Sequence, residues 1–179
     1  MALHGYVNTT KCACWDVDSY NCAGVYSTGD LDNGVFVTLT NINRDTTEFT
    51  INGYEWVVAP ATSAATRAWL VASPEVGTDI MMQELADPRQ FYNAAGQPMS
   101  LKYLVPGVDI IEVTKECFTD ATLPTNTNQY ITIGANGKLT ATSASPAAGT
   151  NVYFTFVGYH TIQIGMESVQ TALIRIERN

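Results

Sequence analysis

A mainly β fold, an antiparallel β-sandwich or barrel with at most one or two short helices and a small C-terminal β unit, is predicted by three features of the sequence. Apolar and polar residues alternate along nearly the whole chain with the period of two that marks a half-buried strand. The dipeptides Asn33-Gly34, Asn52-Gly53 and Asn136-Gly137 supply residues that tolerate positive φ, as hairpin turns require. Charged residues make up only 15% of a chain that is 46% hydrophobic. Soluble domains usually carry roughly 25% charged residues, so Thr, Ser, Asn and Gly must provide much of the surface, as in a β protein or an assembly subunit.

The clearest strand runs, in chain order, are Val35–Leu39, Glu55–Val58, Ile110–Thr114, Tyr130–Ile133 and Leu173–Ile176. Between Glu75 and Tyr92 the segment Ile80–Ala86 holds good helix formers and stops before Pro88, which predicts a helix of a few turns at most. Gly96-Gln97-Pro98 then reads as a turn, followed by strand residues through Leu101–Leu104. The polar stretch Thr119–Asn128, with Pro124, has the composition of a linker or long surface loop. It divides the chain into an N-terminal arm with the first strands (1–29), a main β domain (30–118) and a small C-terminal β unit (119–179). That last unit is expected to hold strands at Val152–Val157, Thr161–Ile164 and Ala172–Ile176, with His160 at a turn between the first two.

Composition also narrows function. The formal charge is −8 and no Lys/Arg cluster occurs, so nothing is present to displace counterions from a phosphate backbone, and no nucleic-acid partner is expected. The longest apolar stretches fall far short of the roughly 20 residues of a membrane span, so no membrane partner is expected either. Met1–Tyr6 turns polar at once with Asn8-Thr9-Thr10-Lys11, unlike a secretory signal, and the protein is expected to be made and kept in a cytosol.

The residues that usually carry chemistry are sparse, and no enzyme and no cofactor are expected. Only His4 and His160 could serve a histidine-dependent mechanism. His4 is expected to be mobile near the terminus, and His160 to be structural. No Gly-x-Ser-x-Gly elbow is present. Gly134-Ala135-Asn136-Gly137-Lys138 misses the phosphate-loop spacing and precedes a strand, so it reads as a hairpin turn. Asp16–Asn21 begins like a calcium loop but has Asn21 where glycine is required. Cys12, Cys14 and Cys22, with His4, are the weak candidates for a metal; Cys-x-Cys is not the Cys-x2-Cys knuckle of structural zinc, and reduced, buried thiols are the expected alternative. Acid pairs such as Glu112 with Glu116, or Asp30 with Asp32, are the conceivable glycosidase carboxylates, but nothing selects one pair. Trp15, Trp56 and Trp69 with nine tyrosines offer material for a sugar-stacking platform, although aromatic residues in strands more often pack in a core or an interface.

Four segments then carry a resemblance. The succession Leu31-Asp32-Asn33-Gly34-Val35-Phe36-Val37-Thr38-Leu39, Tyr54–Pro60, Ala68–Val71 and Tyr103–Val113 resembles the small capsid-associated proteins of tailed bacteriophages that infect Gram-positive bacteria. The resemblance implies a head decoration, or cement, protein on the outer surface of the virion, bound to the phage major capsid protein and often trimeric. It also implies an N-terminal arm reaching onto neighbouring subunits, here Ala2, Leu3, His4, Gly5, Tyr6, Val7 and Asn8, which are the expected partner-binding residues. The cysteine-bearing stretch and the extra C-terminal unit depart from the pattern. A carbohydrate- or receptor-binding module and a tail-tube or connector subunit are the alternatives.

Overall fold

The computed structural model describes residues 3–44, 51–75, 87–164 and 167–179; the expected helix at Ile80–Ala86 lies outside the described residues. The chain is mainly β: the described residues form eleven strands in two sheets, with only three-residue 3-10 turns as helical structure. Five strands close a barrel: β2 (Asn21–Val25), β3 (Phe36–Arg44), β4 (Ile51–Pro60), β5 (Trp69–Val71) and β6 (Pro98–Lys102), in the order β2-β4-β3-β5-β6. All barrel pairs are antiparallel except β2 with β4, which run parallel with Gly24 opposite Trp56.

The other sheet has six strands in the order β1-β7-β11-β10-β8-β9, all antiparallel. They are β1 (Val7–Asn8), β7 (Ile110–Val113), β8 (Tyr130–Ile133), β9 (Leu139–Thr142), β10 (Tyr153–Ile164) and β11 (Glu167–Arg178). Sheet membership does not follow the division expected at 118/119, because β7 lies beside β11 and β1 beside β7. The polar 119–128 segment is a connection within one sheet.

Two apolar cores explain the strand patterns. Val35, Val37, Val58, Val71, Met99 and Leu101 fill the barrel, where Gly24 is needed because a Cβ there would come within 2.5 Å of Leu101 Cδ1. Phe36, Leu70 and Leu104 face the other way and meet Ile111, Phe154 and Ile174 from the six-stranded sheet, with the Phe36 and Phe154 rings 5.0 Å apart. Val35-Phe36-Val37 is therefore buried on both faces, and reads as an unbroken apolar run without alternation.

The turn signals divide. Asn136 (φ 55°) and Gly137 (φ 74°) form the β8–β9 corner, with both central residues in the left-handed region as a tight hairpin requires. A Cβ on Gly137 would lie 2.2 Å from the Phe36 carbonyl oxygen, so this corner is also where the sheet touches the barrel. Asn33-Gly34 turns the chain into β3, with Gly34 at φ 85°. Asn52-Gly53, expected as a turn, lies inside β4 instead. Gly53 does not adopt positive φ there; glycine fits an extended strand, and the pairing with β3 extends past it to Arg44 opposite Ile51. His160, expected at a turn, sits within the continuous strand β10, because the irregularity at Phe156/Gly158 is a bulge that the strand passes through.

Candidate interaction surface

The expected partner-binding segment is largely folded onto its own chain. Ala2 lies outside the described residues, and Leu3 is exposed. The His4 amide donates to the Arg89 carbonyl, its Nδ1 lies 2.7 Å from Asp32 Oδ1, and its ring packs 5.2 Å from that of Tyr92, so His4 is anchored and not mobile. Gly5 is buried against the Asn33 carbonyl and the Cys117 thiol with no room for a side chain. Tyr6 exchanges hydrogen bonds with Thr114, Val7 pairs with Val113, and Asn8 pairs with Glu112. The signal that this segment is a strand is weak, since only two residues satisfy the ladder.

On the outer face of the six-stranded sheet Glu112 is buried, yet its carboxylate is fully engaged. It accepts from Thr171 Oγ1 at 2.6 Å and from Asn8 Nδ2 at 3.3 Å, and His160 Nδ1 lies 2.8 Å away. These groups come from β1, β7, β10 and β11, so the carboxylate ties four strands together; a buried charge of this kind is tolerated only because it is so partnered. Beside it lies a hollow of about 220 Å³ bordered by Lys11, Ile110, His160 and Leu173. By joining side chains of four strands the arrangement acts as a fastener.

The cysteines are placed in three ways. Cys12 precedes a 3-10 turn (Ala13–Trp15) and Cys14 lies within it, and both are buried in the shared core; Cys12 Sγ donates to the Ile110 carbonyl. A hydrogen bond between the two thiols, with burial, pushes Cys12 far up, and the same bond holds Cys14 below the usual thiol value. Cys22 is half-buried on β2, where burial pushes it up to about 11. Cys117 is buried, and desolvation pushes it up to about 12, so its thiol stays protonated and inert. All four are free thiols. Among the described residues no three His, Cys, Asp or Glu side chains gather to hold a metal, so Cys12, Cys14 and Cys22 are not brought together as a ligand set.

The remaining candidates are scattered. Glu116 is buried with one carboxylate oxygen unpartnered, away from the hydrogen bonds that hold Glu112. Asp30 accepts from the Ala95 amide, while Asp32 lies near His4 and Lys138. Trp56 and Trp69 pack half-buried on the barrel core, and Trp15 alone of the three is exposed, at 61%, with the Lys102 ammonium 6.0 Å from its ring. Among the described residues no helix is long and apolar enough to cross a membrane.

One feature of this surface has no counterpart among the sequence expectations. β10 and β11 are twelve residues each, but β8 covers β10 only over Tyr153–Thr155, and β7 covers β11 only over Ala172–Arg175. The remainder is a two-stranded ribbon whose β10 edge meets no other strand among the described residues. The signal was present in the sequence, since no Asp, Glu, Lys or Arg occurs from Leu139 to Met166. Comparison with protein-family models, with characterised proteins and with solved structures gives no match.

Proposed function

We propose that the chain is a non-enzymatic virion structural protein, a decoration protein that binds the outer surface of a tailed-phage capsid and stabilises the lattice of the major capsid protein. The observation that carries this reading is the ribbon: a strand edge without Asp, Glu, Lys or Arg that no other strand covers among the described residues, which is what addition to another protein surface needs. The resemblance supports it from another direction, because its segments form β3, β4, β5 and β7, of which β3, β5 and β7 contribute to the shared core. Stabilisation follows from mass action, since each copy bound to the assembled lattice and not to the open one raises the cost of opening it. Repetition of modest contacts over a lattice adds effective concentration.

Purified protein mixed with capsids that lack it is expected to bind and to raise the capsid melting temperature. Absence of binding, or binding with no rise, removes the proposal. Exposed Trp15 favours a second reading, a carbohydrate- or receptor-binding module. Glycan-array binding that Trp15→Ala abolishes is the outcome that would select it over the first.

A further inference from the structure

The β10–β11 ribbon is held at both ends, and among the described residues no strand lies on its β10 side between them, although the Tyr159 hydroxyl donates to the Pro124 carbonyl near its base. Its base is fixed by the pairings with β8 and β7. At its far end Ile164 is buried, and Glu167 lies 2.6 Å from the guanidinium of Arg89, which Asp87 also holds. Between these anchors, β10 from Val157 to Ile164 has no backbone partner on the side away from β11 among the described residues. Unpaired N–H and C=O groups along a strand edge are a template for another strand, and β proteins ordinarily guard such edges with Lys, Pro or inward charge. None of these guards is present: the chain carries no charged residue from Leu139 to Met166, and no Pro after Pro146. The bulge at Val157 lies at the base of the ribbon and leaves Gly158–Ile164 in unbroken register with Glu167–Leu173.

We propose that this edge pairs with the same edge of a second copy of the chain, antiparallel and across a two-fold axis, so that two six-stranded sheets become one. Three properties select a second copy as the occupant. An antiparallel edge is complementary to itself under a two-fold, so the isologous pair needs no other sequence. Each chain carries a formal charge of −8, so two copies repel over most of their surface and approach best where charge is absent, which is along this strand. Tyr159, Thr161 and Ile162 are the aromatic and β-branched types that favour cross-strand pairs. The anchors at both ends hold the edge in its bound form beforehand, which lowers the ordering cost of association.

The pairing takes up the same β10 edge that carries the decoration reading, so the two compete for it; the pairing is a property of the isolated chain and is measured without capsids, which keeps its failure distinct from failure to bind a capsid. Sedimentation velocity of the purified full chain should show a concentration-dependent dimer. Thr161 is exposed on the open segment; Thr161→Glu and Thr161→Lys each bring like charges together across the two-fold, and each should weaken the dimer about tenfold or more. An equimolar mixture of the two variants should recover association, because Glu on one copy then meets Lys on the other. Hydrogen exchange on the wild type gives a readout free of substitution: amides between Gly158 and Ile164 should gain protection as concentration rises. A wild type that remains monomeric, an oligomer that both variants retain, a mixture no tighter than the separate variants, or exchange that ignores concentration would each overturn the proposal.

Discussion

The barrel and the six-stranded sheet solve the same problem in opposite ways. In the barrel every strand has two neighbours, because β2 closes the ring by running parallel to β4 and antiparallel to β6. The sheet ends on a two-residue strand at one side and a four-residue strand at the other, and among the described residues leaves more than half of β10 unpaired along one edge. Closure is local, however: β5 covers β3 only over Phe36–Val37 and β2 covers β4 only over Trp56–Val57, so among the described residues β3 and β4 also run on as a two-stranded ribbon to Arg44 and Ile51. The difference is one of extent, and both regions share a core. Phe36, Leu70 and Leu104 from the barrel side interlock with Ile111, Phe154 and Ile174 of the sheet.

That shared core yields the largest expected effect. Phe154→Ala, in the sheet, should cost about 3–5 kcal/mol, and Leu101→Ala, inside the barrel, about 2–5 kcal/mol, since both side chains are fully buried. If the regions are one cooperative unit, tryptophan fluorescence, which reports mainly the barrel through Trp56 and Trp69, and far-UV circular dichroism should give coincident urea transitions in both variants. A fluorescence transition left unmoved by Phe154→Ala would split the molecule into two independent folds.

The contact at the β8–β9 corner ranks next. Gly96 and Gly137 have nearly the same positive φ, 75° and 74°, but a Cβ on Gly96 meets nothing, whereas one on Gly137 meets the Phe36 carbonyl. Gly96→Ala should cost about 1–2 kcal/mol, the strain of the left-handed region alone. Gly137→Ala should cost about 3 kcal/mol or more, because overpacking adds to that strain. Equal losses in thermal melts would mean that the corner does not press on the barrel.

Much of this fold is legible in the sequence, for local reasons. Strand runs such as Tyr130–Ile133 and Leu173–Ile176 announce themselves by alternation, and Asn136-Gly137 by its tolerance of positive φ. Closure of the barrel is not legible, because a parallel pair between β2 and β4 is set by packing between distant segments and leaves no local mark. Asn52-Gly53 misleads for the complementary reason: it permits a turn without requiring one, and pairing with β3 decides. The Glu112 fastener draws on Asn8, His160 and Thr171, and no spacing rule connects those positions. The charge-free stretch ending at Met166 is the exception, a feature readable in one dimension.

The fastener offers a smaller test of how firmly the open sheet is held. Thr171→Val keeps the shape but removes the hydroxyl that donates to Glu112, and leaves a buried carboxylate oxygen one donor short. A loss of about 1–3 kcal/mol is expected. Thr140→Val, at an exposed site on β9, should cost much less. A comparable loss at both positions in denaturant titrations would mean that Glu112 does not bind the strands together.

The smallest expected effect lies at the far anchor of the ribbon, and pH isolates it. The hydrogen bond from the Arg89 guanidinium is the main cause that holds the Asp87 carboxyl below the ordinary carboxylate value, and Arg89 in turn reaches Glu167 at the start of β11. A carboxyl whose folded value is depressed contributes stability that is present above its unfolded value, about 3.9, and that is lost as pH falls through the lower folded value. Wild type should therefore be more stable than Asp87→Asn near neutral pH, with the gap closing in acid below about pH 4. Hydrogen exchange at Ser168–Gln170 should rise in Asp87→Asn at neutral pH, because Arg89 then holds Glu167 less rigidly. Faster exchange there with no change at Ile110–Val113 would show that the open ribbon depends on this anchor while the paired part of the sheet does not; uniform exchange would show that the ribbon is held by its own pairing alone.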